Sequence, residues 1–249
     1  FTTMLAHVTD KGGTIDELLC DHALEFESDH PFKGNIDIDK LEKSIQKHGV
    51  EKIPFIRMEA STNLIGGQPF SIANMMDVRR IADKYGIMLV LDASLLGENA
   101  YLIKQREDAW KENSMGDILR MMTGLADLVY FSARKLSSSR GGGICTNRLD
   151  LYRKMEALIT LYEGFLTYGG ISVREIEAMA VGLYETLDET MISQSPTFIK
   201  YLVEAMKSHG IPVVTPAGVL GAHVNAGKFC DHIPQHEYPA GALAAAFYL

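Results

Sequence analysis

The sequence predicts an α/β fold, a mostly parallel sheet covered by helices, and three observations carry that prediction. Strand-like and helix-like segments alternate through most of the chain, which is how parallel strands and their crossover helices read. The strand-like runs are apolar without polar alternation, as in strands covered on both faces. Polar residues, Asn63, Asp92 and Lys135, follow or close three of these runs, at the carboxyl ends where open α/β sheets bind ligands.

The elements follow in order. Asp39 is expected to cap a helix over Lys40 to Lys47, and the spacing of Asp37 and Asp39 lacks the glycine and closing glutamate of a calcium loop. Ile53 to Ala60 reads as a strand, and Ser61-Thr-Asn-Leu-Ile-Gly-Gly-Gln-Pro69 as the loop after it. Ser71 is a suitable cap for a helix that runs through Ile72, Met75, Val78 and Ile81 to a stop at Gly86. Ile87 to Leu91 is a second strand, ending in Asp92. A helix near Ser114 to Thr123 leads to a third strand around Val129, Tyr130 and Phe131, and Gly141 to Thr146 is a fourth, short one. Helices then dominate, over Leu151 to Leu161, Val173 to Leu187 and Pro196 to Ser208, before Ile211-Pro-Val-Val214, which reads as the first strand of a new sheet. The expected division is a large domain over 1–188 and the start of a smaller α/β domain over 189–249.

Composition narrows the class. Hydrophobic residues at 47% and charged ones at 22% are those of an ordinary globular protein. The net charge of −8 argues against nucleic acid as a partner. No apolar run approaches the ~18 residues of a membrane span. Cys20, Cys145 and Cys230 offer no disulfide framework, and they point to a reducing, cytoplasmic setting. Cys230-Asp-His232 with His236 matches no common zinc spacing. The chain opens on Phe1-Thr-Thr with neither an initiator methionine nor a signal-peptide pattern, and an apolar helical pattern runs to Leu249 without a stop, so a fragment is expected.

Asn63, Asp92 and Lys135 together suit pyridoxal phosphate. A lysine forms the Schiff base, a carboxylate pairs with the protonated pyridine nitrogen, and small polar residues hold the phosphate. Ser132, three residues before Lys135, can reach that phosphate, and Arg134 disfavours the ammonium form of its neighbour. The glycines at 141–143 are read as a close backbone approach to the cofactor or a cation.

Blocks along nearly the whole chain carry a family resemblance: FKGNIDIDKL, TNLIGGQPFSIANM, ENAYLIK, YEGFLTYGG, EAMAVGLYE and FCDHIPQHEYPA. They resemble the β-eliminating lyases of aromatic amino acids, which are fold-type-I pyridoxal phosphate enzymes. The resemblance implies β-elimination from an amino acid such as tyrosine or tryptophan, giving pyruvate and ammonia, in a homotetramer. It makes Lys135 the Schiff-base lysine, Asp92 the partner of the pyridine nitrogen, Asn63 a donor to the ring hydroxyl and Ser132 a phosphate ligand. It also makes Phe1 the ring stacked on the cofactor and Thr2 an active-site hydroxyl, and it implies a potassium ion held partly by the backbone carbonyl of Arg140. Two departures stand out. Leu95 occupies the place of a family arginine, and Gly218-Val-Leu220 that of a GGH run. A threonine-aldolase-like cleavage, an aminotransfer and a non-catalytic paralogue are the alternatives.

Overall fold

Four apolar segments pair into one sheet: β1 (Phe55–Glu59), β2 (Met88–Asp92), β3 (Leu128–Ser132) and β4 (Gly142–Cys145), in that order. The first three run parallel and β4 is antiparallel to β3. Register places Glu59 opposite Asp92, and Asp92 opposite Tyr130. The computed structural model describes residues 2–248, the side chains of Thr2 and Thr3 excepted. Asp127 fixes the amino-terminal edge of the sheet, because its carboxylate accepts from the Leu89 amide at 2.7 Å and from Arg79 at 2.8 Å.

The helices before and between the strands are α1 (Thr2–Asp10), α2 (Ile38–His48), α3 (Ile72–Tyr85), α4 (Leu96–Arg106), α5 (Met115–Gly124) and the single turn α6 (Ala133–Leu136). After β4 come α7 (Leu149–Tyr162), α8 (Val173–Glu185), α9 (Glu189–Ile192), α10 (Gln194–Ser208), α11 (Ala226–Phe229) and α12 (Pro239–Ala246). Helix α3 begins as expected, with the Ser71 hydroxyl accepting from the Asn74 amide, and ends at Gly86 in the left-handed conformation. Helix α5 opens with a reciprocal capping box between Ser114 and Asp117. Phe70, Met75, Val78, Leu89, Ile103 and Ile118, all fully buried, form the core between the sheet and α3, α4 and α5.

Four expectations need correction. The cap of α2 is Asp37, whose carboxylate accepts from the Lys40 amide at 2.9 Å; Asp37 has extended backbone, while Asp39 already lies inside the helix. Helix α4 was not foreseen. Ile211 to Val214 adds no strand to a sheet: Val213 forms a single bridge to Val224, and Pro212 has no amide to donate to a ladder. The β3 strand is half-buried rather than covered on both faces, and Val129 and Phe131 line a cavity of about 250 Å³ shared with Leu119, Leu183 and Cys145.

Two polar side chains hold the irregular segments to this frame. Asn99 of α4 is fully buried; its Oδ1 accepts from the amides of Ser61 (2.9 Å) and Phe70 (3.2 Å), and its Nδ2 donates to the Phe70 carbonyl at 3.0 Å. It thereby closes the loop after β1, which also bridges itself between Thr62 and Gln68. Lys33, equally buried, donates to the carbonyls of Glu25 and Thr215. Burial lowers the pKa of its ammonium, but the two carbonyls take the place of water.

The segment after Thr215 lies on the loop after β1. The Gln68 side chain donates to the Pro216 carbonyl at 2.7 Å, and the amides of Val219 and Leu220 donate to the carbonyls of Gly67 (3.1 Å) and Gly66 (3.3 Å). A Cβ on Gly218 would stand 2.1 Å from the Gly66 carbonyl oxygen, so only glycine fits there. Arg106 of α4 secures the same segment by donating to the Ala217 carbonyl at 2.6 Å, and burial pushes its pKa down to about 10. Val219 is thereby brought against Leu95, which is 9% exposed, and Leu102. The two departures noted in the sequence therefore meet in one apolar contact.

Two substitutions test these contacts. Asn99→Ala strands two amides and a carbonyl in the core, and the expected loss in denaturant unfolding is about 3 kcal/mol, since each orphaned group costs roughly 1–3 kcal/mol. A loss under about 1 kcal/mol would show that the loop is held some other way. Leu95→Arg forces a guanidinium into the contact with Leu102 and Val219, and the expected cost is about 2 kcal/mol from overpacking and desolvation. An unchanged thermal midpoint would refute that packing role.

Candidate active site

Because β1, β2 and β3 are parallel, their carboxyl ends lie along one edge of the sheet, and each hands the chain to a turn there. Beyond β1, Asn63 opens a 3-10 turn whose amide donates to Glu59 Oε1 at 3.0 Å. Beyond β2, the Ser94 amide donates to Asp92 Oδ1 at 3.1 Å, while the Ser94 hydroxyl accepts from the Ser132 amide at 3.2 Å. Beyond β3, Ser132 passes directly into α6, which carries Arg134 and Lys135. The sequence-predicted residues Asn63, Asp92, Ser132 and Lys135 thus arise from three neighbouring strand ends, cross-tied through Glu59 and Ser94.

Asp92 is the buried member of this set, at 4% exposure. Its Oδ2 accepts from Arg57 Nη2 at 2.6 Å and from the Tyr130 hydroxyl at 3.0 Å. Arg57 reaches it from β1, two residues before Glu59, and also donates to Glu59 Oε2 at 3.0 Å and, through Nε, to the Tyr130 oxygen at 2.8 Å. Burial works to raise the Asp92 pKa, but the Ser94 hydrogen bonds and the Arg57 guanidinium prevail and hold the carboxyl below its ordinary range. Burial and the Asp92 charge push the Tyr130 hydroxyl up, so it stays protonated and donates. Burial also raises the Glu98 carboxyl on the first turn of α4.

Asn63 and Ser132 are half-buried, whereas Arg134, Lys135 and Arg140 are exposed. The Arg140 amide points to Glu175 Oε2 at 3.4 Å. Phe1 lies outside the described residues, as does the side chain of Thr2. The close approach served by the glycines after α6 is to protein: a Cβ on Gly142 would stand 2.3 Å from the Phe131 carbonyl oxygen, and one on Gly143 2.6 Å from the Phe131 ring. The glycine character of Gly142 and Gly143 therefore answers to strand pairing with β3. Arg57, Glu59 and Tyr130 were missed by the sequence reading. The available signal was a pair of charges at alternate positions in an otherwise apolar strand, which puts both on one face.

The donor set fits the pyridoxal phosphate ring. A carboxylate offers about four lone-pair positions. Arg57 and Tyr130 share Oδ2 of Asp92, and Oδ1, which takes the Ser94 amide, keeps room for a ring N–H. That carboxylate is ionised and buried, as a protonated pyridine nitrogen requires of its partner.

Comparison with known proteins places the chain in a family. The family model described as beta-eliminating lyase matches residues 1–246. The tyrosine phenol-lyase of Pasteurella multocida (strain Pm70) is 40% identical over 250 residues, covering 100% of this chain and 55% of that protein. That of Symbiobacterium sp. (strain SC-1) is 38% identical with the same coverage. The chain therefore spans about half the length of these relatives. Among solved structures, one provisionally assigned as an L-allo-threonine aldolase from Listeria monocytogenes EGD-E superposes with a TM-score of 0.55 at 21% identity, over 76% of this chain and 47% of that one, which is a likeness of fold. The family model covers nearly the whole chain and the relatives match it from end to end, so the chain belongs to the beta-eliminating lyase family.

Proposed function

We propose that this chain supplies the cofactor-binding part of a pyridoxal phosphate-dependent lyase that removes the β-substituent of an aromatic amino acid, tyrosine or tryptophan or a related substrate, and releases pyruvate and ammonia. The single observation that carries the reading is the meeting of Asn63, Asp92 and the Ser132 to Lys135 turn at the carboxyl edge of three parallel strands, with Asp92 buried and ionised. Family membership and the tyrosine phenol-lyase relatives support it.

In this reading each residue has one task. Bound pyridoxal phosphate supplies an electron sink for the negative charge that develops at Cα. Lys135 binds the cofactor through its amine and then holds the proton taken from the substrate Cα. Asp92 keeps the ring nitrogen protonated from Oδ1. Asn63 donates to the ring hydroxyl, and Ser132 donates to the phosphate with Arg134 adding positive charge beside it. Phe1 and Thr2 complete the site as a stacking ring and a hydroxyl, and a potassium ion at the Arg140 carbonyl belongs to the same reading. A cytoplasmic homotetramer is the proposed assembly.

Borohydride reduction of the cofactor-loaded protein followed by peptide mapping is expected to place the pyridoxyl group on Lys135. Lys104 is held by Glu189 at 2.6 Å and is not expected to react. A label on Lys104 or Lys154 would overturn the assignment. With tyrosine or tryptophan as substrate the expected product is pyruvate; glycine released from threonine, with no pyruvate, would replace elimination by an aldolase activity. Asp92→Asn is expected to retain some cofactor while turnover falls about 10²–10³-fold, the usual effect of losing a principal electrostatic group. Unchanged turnover would remove Asp92 from the chemistry.

A further inference from the structure

The carboxylate that faces the ring is itself held by a cation that the sequence pattern did not assign. Arg57 stands on β1, one strand away from Asp92, and its guanidinium is mostly buried at 15% side-chain exposure. It spans two acids, 2.6 Å from Asp92 Oδ2 and 3.0 Å from Glu59 Oε2, and bonds Tyr130 through Nε at 2.8 Å. Tyr130 returns the contact by donating to the same Oδ2 at 3.0 Å. Arg57, Asp92 and Tyr130 thus close a triangle across β1, β2 and β3. Glu59 extends it to the Asn63 amide at 3.0 Å.

We propose that Arg57 is the positioning residue of this site: by taking Oδ2 of Asp92 it turns Oδ1 toward the cofactor ring, and through Glu59 it couples the placement of Asp92 to that of the Asn63 turn. The proposal rests on the reading that Asp92 faces the ring nitrogen. The planar fork of arginine suits the task, because it can bond two acids in fixed directions where an ammonium would act as a point charge. The charge balance suits it too. Two carboxylates and one guanidinium leave one net negative charge, the complement of a singly protonated heteroaromatic nitrogen. Removing Arg57 leaves two little-exposed carboxylates without the cation they share, which favours uptake of a proton. Removing the Glu59 charge has the opposite effect, since Arg57 then serves Asp92 alone. Arg57 and Glu59 from β1 and Tyr130 from β3 are the titratable and charged groups that the neighbouring strands bring onto Asp92.

The opposite signs supply the test. In protein free of cofactor, the carboxyl carbon of Asp92 is followed by carbon-13 NMR across pH in the parent, Arg57→Met, Arg57→Lys and Glu59→Gln. Arg57→Met is expected to raise the Asp92 midpoint by about one unit or more, a tenfold change in proton affinity. Glu59→Gln is expected to lower it, and Arg57→Lys to recover at least half of the rise. A second readout is cofactor affinity by titration of the visible absorbance band, expected to weaken about tenfold or more in Arg57→Met. An unmoved midpoint in Arg57→Met, or a shift of the same sign in Arg57→Met and Glu59→Gln, would overturn the proposal. If Arg57→Met does not fold, Glu59→Gln decides alone, a downward shift supporting the role and any other result refuting it. Failure of the parent to bind pyridoxal phosphate would instead overturn the proposed function, while the titration still judges Arg57.

Discussion

The site depends on keeping one buried carboxylate ionised. Asp92 ends the central parallel strand with 4% of its surface exposed, where an isolated carboxylate would take up a proton. Arg57, Tyr130 and the Ser94 amide prevent that, and each comes from a segment that the sheet itself positions. The parallel register is therefore an electrostatic requirement as well as a topological one. It sets Glu59 beside Asp92 and Asp92 beside Tyr130, so that two carboxylates and a hydroxyl meet without any loop having to close over them. At the opposite edge Asp127 uses the same chemistry for a structural end, accepting from Leu89 and Arg79 to fix where β3 starts beside β2.

Much of the frame was legible because the chemistry was local. The strands around Phe55, Leu89, Val129 and Gly143 announced themselves as apolar runs, and α3 and α5 by serine caps. Helix α4 was illegible for the matching reason. Its N-cap is Leu95, with no side-chain cap, and it ends at Glu107 rather than at a glycine, so neither boundary signal is present. Asp37 and Asp39 are chemically equal candidates, and only the backbone conformation at Asp37 decides which one caps α2. Ile211 to Val214 has the composition of a strand, but composition cannot reveal that its one pairing partner is Val224.

The candidate site shows the same division. Asn63, Asp92, Ser132 and Lys135 stand out in the sequence because each closes or follows an apolar, strand-like run. Arg57 could not, because its meaning lies across the sheet, in a register that one strand does not disclose. The sequence reading noted an arginine missing at Leu95; the structure brings an arginine onto Asp92 from β1, and uses Leu95 for a contact with Val219. Cationic character has not left this edge of the sheet. It enters from β1, at Oδ2 of Asp92.

Lys33 carries a consequence for the order in which the chain can fold. Its ammonium joins the Glu25 carbonyl to that of Thr215, and the Ser28 amide and the Lys228 ammonium add further ties between the same two regions, across separations of 182, 187 and 201 residues. Such contacts reward the chain only after the segment from Thr215 to Lys228 has followed the sheet out, whereas β1 through β3 and their helices can pair as they emerge. The sheet with its strand-end carboxylate is then an early product. The segment that sets Val219 against Leu95 is a late one, and a ribosome paused near residue 190 would hold a chain with the charge cluster in place and one wall of the site still to come.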